Sequence, residues 1–222
     1  MAALGEKFLM IMLLGFVAIS FNNLVSASDP DMLQDICVAD TKGKPKVNGF
    51  ICKDNVTADD FFTVALVNPG STNNTLGSMV TPANVNQIPG LNTLGVSMAR
   101  IDYAPGGINP PHTHPRATEI IFVLEGELEV GFITTERVLF TKTIKKGEVF
   151  TFPRGLIHFQ KNNGKYPAAV IAGFNSQLPG TQQVATALFA ATPPVPDNVL
   201  TITFQVGTKE IEKIKSRLAP KK

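Results

Sequence analysis

The chain has 222 residues, of which 44% are hydrophobic and 17% charged, and its 20 basic and 18 acidic residues leave a net charge of +2. This composition excludes a disordered chain and is sufficient for one substantial core. Neither sign of charge forms a long block, so we expect no nucleic-acid partner and no attachment to anionic lipid. With 18 Gly and 16 Pro, the chain favours many short strands over long helices.

The first 27 residues have the pattern of a secretory signal peptide. Residues 8–18 form an apolar stretch, and Val25, Ser26 and Ala27 match the small-x-small pattern that a signal peptidase recognises. The apolar stretch is too short for a membrane anchor, which needs roughly 20 residues. We therefore expect cleavage after Ala27 and a mature protein that is secreted and free of the membrane.

The next segment, residues 28–92, contains both cysteines of the chain, Cys37 and Cys52. The oxidising environment of a secreted protein allows them to pair, and a disulfide closing a loop of this length contributes about 3 kcal/mol. The triplets that begin at Asn55 and Asn73 match glycosylation acceptor sites. Because the remainder is rich in Asn, Thr, Gly and Pro, we expect an irregular N-terminal extension with one or two short helical or strand pieces.

From residue 93 to residue 180, the expected core domain, the pattern is that of an all-β protein. Short strand-like runs separated by turn residues occupy 94–101, 119–124, 127–133, 138–144, 149–152, 157–160 and 168–174. In the run 127–132 apolar side chains alternate with polar ones, which indicates a strand with one buried face. Closely spaced strands without intervening helices predict an antiparallel sandwich or barrel.

Helices are expected only in the C-terminal segment, residues 181–222. Residues 183–189 are a first candidate, and a proline-rich breaker follows them. Ile211, Ile214 and Leu218 then lie at helical spacing within the charged run 209–218. A narrow apolar stripe on a charged helix fits contact with another subunit, and it fits packing on its own domain equally well.

The chain has three histidines, His112, His114 and His158. Residues two apart on a strand share a face, so His112 and His114 can reach one ion. Strand parity would send Glu119 to the opposite face, and a bend or bulge near Pro115 must redirect it. An antiparallel partner strand can bring His158 opposite the first two histidines. The sequence thus offers four ligands for one metal ion.

Three neutral imidazoles and one carboxylate form a site of intermediate hardness. Such a donor set suits a divalent first-row transition metal, from manganese to zinc, rather than calcium or magnesium. Four protein ligands leave two adjacent positions of an octahedral ion open, and open positions are where chemistry or ligand binding occurs. A hydrolase is disfavoured, because no histidine remains to act as a general base.

Two motifs carry a family resemblance. The run GGINPPHTHPRATE at residues 106–119 resembles the first cupin motif in its germin form, and the run GEVFTFPRGLIHFQKN at residues 147–162 resembles the second. Similar segments at residues 92–98 and 174–180, together with the paired cysteines, extend the resemblance over essentially the whole mature chain. The sequence therefore resembles the plant germin-like proteins.

This resemblance implies a jelly-roll β-barrel that holds manganese through His112, His114, Glu119 and His158. It also implies a glycosylated protein of the apoplast and cell wall, assembled as a homohexamer (a trimer of dimers) with C-terminal helices in the subunit contacts. Superoxide dismutase activity and a role in plant defence follow from the same resemblance. Superoxide, a small anion, is then the expected substrate.

Two alternative functions stay open at this point. The first is oxalate oxidase, the activity of true germins, which hold this dianion with two asparagines. Asn92 matches one of them and is a candidate pocket residue, whereas Ala99 stands at the other position. We therefore expect superoxide dismutation with little or no oxalate oxidation. The second alternative is a non-enzymatic extracellular binding or storage protein, and the four intact ligands argue against it.

Overall fold

The computed structural model describes residues 37–45 and 49–219. The expected signal peptide, residues 1–27, lies outside them. The described chain forms two five-stranded sheets followed by short helices. The strands are β1 (Ser78–Ala83), β2 (Ser97–Tyr103), β3 (Ile108–Thr113), β4 (Glu119–Glu125), β5 (Glu127–Ile133), β6 (Leu139–Lys145), β7 (Val149–Phe152), β8 (Ile157–Lys161), β9 (Ala168–Phe174) and β10 (Gln182–Gln183). The helices are α1 (Val184–Phe189), α2 (Asp197–Phe204) and α3 (Thr208–Leu218).

The two sheets face each other as a jelly-roll barrel. One has the strand order β1-β2-β9-β4-β7 and the other β10-β3-β8-β5-β6, and neighbouring strands are antiparallel. Strands β3 and β4 follow each other in the chain but belong to different sheets. The chain therefore crosses the barrel between them. The antiparallel all-β class expected from the strand pattern and the jelly-roll barrel implied by the family resemblance are both confirmed.

The core lies between the inner faces of the two sheets. Ile121 and Val170 of one sheet and Leu128 and Val130 of the other are completely buried. The alternation in β5 places Leu128 and Val130 inside while Glu127 is exposed. Each such side chain contributes about 1.5–3 kcal/mol on burial. The period-2 pattern of the sequence therefore decides which face of each strand enters the core.

Strands β1 and β10 correct the predicted limits of the barrel. β1 pairs with β2 along its length, with Val80 opposite Ile101, so the barrel begins well before residue 93. β10 pairs with β3 and extends the second sheet beyond residue 180. The strand pattern did not reveal β1 because its sequence, SMVTPA, lacks regular alternation and contains Pro82, which an edge strand tolerates and a central strand would not.

The segment before β1 is irregular, as expected, and contains a short 3-10 helix, Ala58–Phe61. The predicted disulfide is confirmed: Cys37 and Cys52 are joined, with their Cα atoms 4.8 Å apart. The side chains of Asn55 and Asn73 are exposed. Both expected glycosylation sites are therefore accessible from solvent.

The C-terminal helices agree with two of the sequence expectations and add a third helix. α1 and α3 each begin one residue from the predicted start. α2 was not predicted, because it begins directly after the proline-rich segment. α3 packs against α1 and α2, and its Ile211 is completely buried. The apolar stripe of α3 is thus used within its own domain. By contrast, the apolar side chain of Ile202 on α2 is 78% exposed.

Candidate metal centre

The four expected ligands meet inside the barrel. The atoms with which they can bind an ion all lie within 4.8 Å of one another, and all four side chains are buried. His112 lies on β3, His114 follows the end of that strand, Glu119 begins β4 and His158 lies on β8. The four residues predicted from the sequence therefore come together from strands β3, β4 and β8, which belong to both sheets.

A turn between the sheets directs Glu119 toward the histidines. β3 ends at Thr113 and β4 begins at Glu119 in the opposite sheet, with a turn at Pro115 and Arg116 between them. The first residue of β4 thus faces the end of β3 across the barrel. The bend expected near Pro115 is confirmed, and strand parity does not apply because the chain has changed sheets.

β8 supplies the third histidine by direct pairing. It runs antiparallel to β3, and His158 lies opposite His112 in the register. The preceding turn contains Gly155 at φ +78°, a left-handed conformation that favours glycine. Rings also pack around the cluster: Phe152 stacks on His158 with centroids 4.5 Å apart. Tight packing on this side limits how far the imidazole can turn.

Backbone carbonyls determine the tautomer of all three imidazoles. In every ring, Nδ1 lies within hydrogen-bond distance of a carbonyl oxygen. The pairs are His112 with Pro110 at 2.7 Å, His114 with Gly180 at 2.5 Å and His158 with Leu156 at 2.8 Å. Because a carbonyl oxygen only accepts, each Nδ1 carries the proton and donates it. In the neutral ring that binds a metal ion, the lone pair is then on Nε2, which is the arrangement of metal-binding histidines.

Glu119 lies between two of these rings. Its Oε2 is 2.9 Å from His158 Nε2 and 3.1 Å from His114 Nε2. Its Oε1 is buried and has no hydrogen-bond partner among the described residues. A buried carboxylate oxygen without a partner is costly unless an ion or a ligand binds it. The orphaned atom and the inward Nε2 atoms therefore fit a metal ion.

The protonation states match that use. Burial by itself would raise the pKa of Glu119, but hydrogen bonds from His114 and His158 outweigh it and lower the pKa to about 2. Burial, followed by the nearby His158, lowers the pKa of His112 to about 4. At neutral pH the carboxyl is ionised and His112 is neutral, and these are the forms that bind metals.

A cavity of about 310 Å³ leads to the cluster. Ligands from the cluster form one end of it, and the walls are mainly apolar, with Val80, Ile101 and Phe174 among them. Among the residues that the structure describes, no lysine or arginine lines this space. A bound cation would therefore be the main positive charge available to an anionic ligand.

The structure contradicts the expected pocket role of Asn92. Its Oδ1 accepts a hydrogen bond from the Phe50 N–H at 2.9 Å, and its Nδ2 donates to the Phe50 carbonyl at 2.9 Å and to Cys37 Sγ at 3.4 Å. The residue lies in the loop before β2 and is not part of the cavity wall. Its amide therefore fastens the disulfide-bonded segment to the barrel.

The amide that does line the cavity is Asn109, which the strand pattern did not reveal. Asn109 lies three residues before His112, and ordinary alternation would place the two on opposite faces. The register of β3 against β8 shifts between them, at the two prolines Pro110 and Pro111, so both side chains are buried on the inner face. The proline pair was the available signal, because it disrupts a regular ladder. Ala99 lines the same cavity.

Comparison with known proteins agrees with this fold and site. The family model for Cupin matches residues 64–212. The chain is 69% identical over 210 residues to germin-like protein subfamily 2 member 4 of Arabidopsis thaliana, covering 93% of this chain and 96% of that protein. It is 72% identical over 197 residues to germin-like protein 5-1 of Oryza sativa subsp. japonica, covering 89% of each.

A solved structure of recombinant oxalate oxidase in complex with glycolate has a TM-score of 0.83 and 48% sequence identity, covering 86% of this chain and 98% of that one. A barrel of this topology, with a buried cluster of three histidines and one glutamate that is compatible with a metal ion, defines a cupin. Together with the identities above, it shows that the chain belongs to the germin-like proteins of the cupin family. Among the residues described, no helix has the length and apolar character that a bilayer crossing requires.

Proposed function

We propose that the protein is a secreted, manganese-dependent superoxide dismutase. The observation that carries the proposal is the buried cluster in which three imidazoles and one carboxylate face a common point. His112, His114, Glu119 and His158 would hold the ion. Membership of the germin-like family supports manganese, and bound manganese would supply one-electron redox chemistry.

Dismutation converts two superoxide anions and two protons into dioxygen and hydrogen peroxide. One superoxide gives up an electron and leaves as dioxygen, and the other accepts that electron and two protons. The chain binds the ion, keeps Glu119 ionised and admits a small anion through the cavity. Because superoxide is diatomic and singly charged, it needs no cationic side chain in the cavity wall.

Oxalate oxidation is the second candidate, and the 48% identity to an oxalate oxidase favours it. Oxalate carries two carboxylates that must both be stabilised inside the cavity. Asn109 offers one amide there, whereas Ala99 offers only a methyl group. Losing an amide donor to a buried anion costs about 1.5–3 kcal/mol, which is roughly ten- to a hundredfold. We therefore place superoxide before oxalate as substrate.

One preparation of the purified protein tests both candidates. Elemental analysis should find manganese at close to one ion per chain, and the same sample should dismute superoxide and form little hydrogen peroxide from oxalate. Metal removal with a chelator should abolish dismutation, and manganese should restore it. Fast hydrogen peroxide release from oxalate by the manganese-loaded protein would overturn the order of the two substrates. A protein that holds manganese and has neither activity would favour the non-enzymatic binding role.

We also propose where the protein is located and how it assembles. The disulfide and the two exposed sequons at Asn55 and Asn73 support a glycosylated protein of the apoplast. Exposed apolar side chains support a homo-oligomer, which we propose is a hexamer. They include Ile202 on α2 and Phe122 and Val149 on the outer face of one sheet. Hydrogen peroxide formed in the cell wall is consistent with a defence role.

Light scattering tests the assembly. The mature protein should have several times the mass of one chain, and deletion of residues 209–222 should reduce it. Ile202→Glu is the sharper change, because this exposed side chain makes little contribution to the fold of its own chain. Lys213→Glu, an exposed change on α3, is the control and should leave the mass unchanged. A monomer with all helices present would contradict the oligomer.

A further inference from the structure

Residues 178–181, which we call the strap, form one wall of the cavity beside the metal centre. All four line this space together with the ligands His112, His114 and Glu119. The strap connects β9 to β10 and belongs to no helix or strand. Because no strand ladder holds it, the position of this wall depends on hydrogen bonds to other segments of the chain.

Arg116, in the turn between β3 and β4, holds the strap through two hydrogen bonds. Its Nε donates to the Leu178 carbonyl at 2.7 Å, and its backbone N–H donates to the Pro179 carbonyl at 3.3 Å. The side chain of Arg116 is exposed, and no carboxylate of the described chain forms an ion pair with it. The contacts of this guanidinium are therefore directed to the strap.

Gly180 allows the guanidinium to lie directly against the strap. Its φ is +68°, a left-handed conformation that favours glycine. A Cβ at this position would lie 2.7 Å from Arg116 Nη2 and 3.1 Å from Arg116 Cζ, and Cβ atoms do not pack as closely as the first of these distances. The guanidinium thus fills the space that a side chain at residue 180 would need.

The strap in turn contacts one of the metal ligands. The Gly180 carbonyl accepts the hydrogen bond from His114 Nδ1 at 2.5 Å. The other two histidines bond to carbonyls only two residues away, at Pro110 and Leu156. His114 is therefore the ligand whose ring orientation depends on a segment distant in the chain. Partners of this kind fix the ring of a metal-binding histidine, and their loss typically costs 10- to 100-fold in metal affinity.

We propose that Arg116 is a positioning residue, which sets the orientation of His114 at the metal centre by holding the strap in place. The inference rests on the proposed metal-dependent function. Arg116 touches neither the ion nor the substrate, and its effect passes through the Gly180 carbonyl. Arginine suits this role because its planar group can donate to a carbonyl while its face packs on a neighbouring residue.

The first test compares manganese-loaded variants by the rate of manganese release to a chelator and by the electron paramagnetic resonance spectrum of bound Mn²⁺. Arg116→Ala removes the side-chain bond and keeps the backbone bond to Pro179, so the strap should loosen without detaching. Release should become about tenfold faster. The spectrum should change, because His114 is no longer held in one orientation. Arg116→Lys should give a smaller change in the same direction, and it decides if Arg116→Ala does not fold.

Arg154→Ala is the matched control. Arg154 is also exposed, and its Nε donates to the Pro115 carbonyl of the same turn at 3.3 Å. The change removes one positive charge near this turn and leaves the bond between Arg116 and Leu178 in place. The release rate and the spectrum should therefore match those of the unmodified protein. Equal changes in the two alanine variants would mean that charge is responsible, and would overturn the proposal.

Hydrogen exchange in the metal-free protein tests the same inference without manganese. The peptide that contains residues 178–183 should exchange roughly three- to tenfold faster in Arg116→Ala than in the unmodified protein, because one hydrogen bond that holds the strap is lost. Exchange in the core strand β5 should be unchanged. Faster exchange throughout the barrel would indicate general destabilisation and would contradict a role confined to the strap.

The outcomes separate this inference from the proposed function. Equal exchange in the strap, or an equal release rate and spectrum at equal manganese content, overturns the role of Arg116 and leaves the dismutase proposal standing. Loss of dismutation in Arg116→Ala with an unchanged spectrum overturns it as well. An unmodified protein that binds no manganese, or binds it without dismuting superoxide, counts against the proposed function, and hydrogen exchange still decides whether Arg116 holds the strap.

Discussion

Two buried polar groups in this molecule, the side chains of Asn92 and Glu119, differ in how their atoms are paired. Both are almost completely buried. Asn92 has partners within the chain for its oxygen and its nitrogen, on Phe50 and Cys37. Glu119 contacts two histidines through Oε2, while its Oε1 has no partner among the described residues.

The difference separates a structural role from a ligand-binding one. A buried amide with all its atoms paired connects two parts of the fold, and its contribution is stability. A buried carboxylate with an orphaned oxygen, next to three imidazoles whose Nε2 atoms face it, is incomplete until something else binds. The family resemblance assigned Asn92 a ligand-binding role, whereas its hydrogen bonds show a structural one.

Loss of one metal ligand should have the largest effect. His112→Ala, His114→Ala, His158→Ala or Glu119→Gln should each reduce bound manganese to less than about a tenth, because one missing donor opens the coordination sphere. Metal content by elemental analysis and dismutation are the measurements. The metal-free forms should fold, as judged by circular dichroism. Full metal content in two of these variants would falsify the assignment of the cluster.

Asn92→Ala should behave in the opposite way. It removes three hydrogen bonds from a buried site and leaves Phe50 without its partners, so we expect a loss of about 3 kcal/mol in the free energy of unfolding. Manganese per folded chain should not change. Urea unfolding together with metal analysis measures both quantities, and Cys37→Ser with Cys52→Ser should give a similar loss. An Asn92→Ala variant that is as stable as the unmodified protein but depleted of manganese would show that Asn92 belongs to the metal site.

Lowering the pH should reduce the stability contributed by the metal-free cluster and should leave the stability contributed by the hydrogen bonds of Asn92 unchanged. The folded pKa of His112 is about 4, below its unfolded value near 6.5. Between these values the unfolded chain binds the proton and the folded chain does not, so stability falls as pH falls from 6.5 toward 4. Glu119, with a folded pKa of about 2, adds a further loss below pH 4.5.

Unfolding of the metal-free protein at several pH values checks this expectation. His112→Gln should flatten the dependence between pH 6.5 and pH 4, whereas Asn92→Ala should lower stability equally at each pH. An unchanged slope in His112→Gln would show that other groups are responsible.

The smallest expected effect concerns the cavity wall. Ala99→Asn places a second amide beside Asn109, and we expect oxalate oxidation to rise by up to about tenfold from a low level, because the new donor can stabilise the second carboxylate. Dismutation should change little. Hydrogen peroxide release from oxalate is the measurement, and Ala99→Leu, which adds similar volume without an amide, is the control. An equal rise in both variants would mean that size and not hydrogen bonding is responsible.

The local part of the site could be read from the sequence. The spacing of His112 and His114 predicted that both side chains could reach one ion, and the alternation in residues 127–132 indicated the buried face of β5. These predictions succeed because side-chain direction in a strand depends on neighbouring residues alone. The disulfide was predictable for a similar reason, since two cysteines permit a single pairing.

Other features depend on which strands become neighbours, and strand order cannot be read from local periodicity. Asn109 reaches the cavity because the register between β3 and β8 shifts at a proline pair. β1 was missed because residues 78–83 show no regular alternation of apolar and polar side chains. The stripe on α3 could not be assigned to its own domain until α1 and α2 were placed beside it.

The sequence by itself determined the ligand types, the all-β class and the irregular disulfide-bonded segment, because each follows from residue chemistry and short-range spacing. The tertiary structure decided which amide lines the cavity, which fastens the N-terminal segment and which arginine holds the strap. Those outcomes depend on contacts between residues distant in the chain, such as Asn92 with Phe50 and Arg116 with Leu178. Hydrogen-bond partners of this kind exist only after the two sheets have closed around the core.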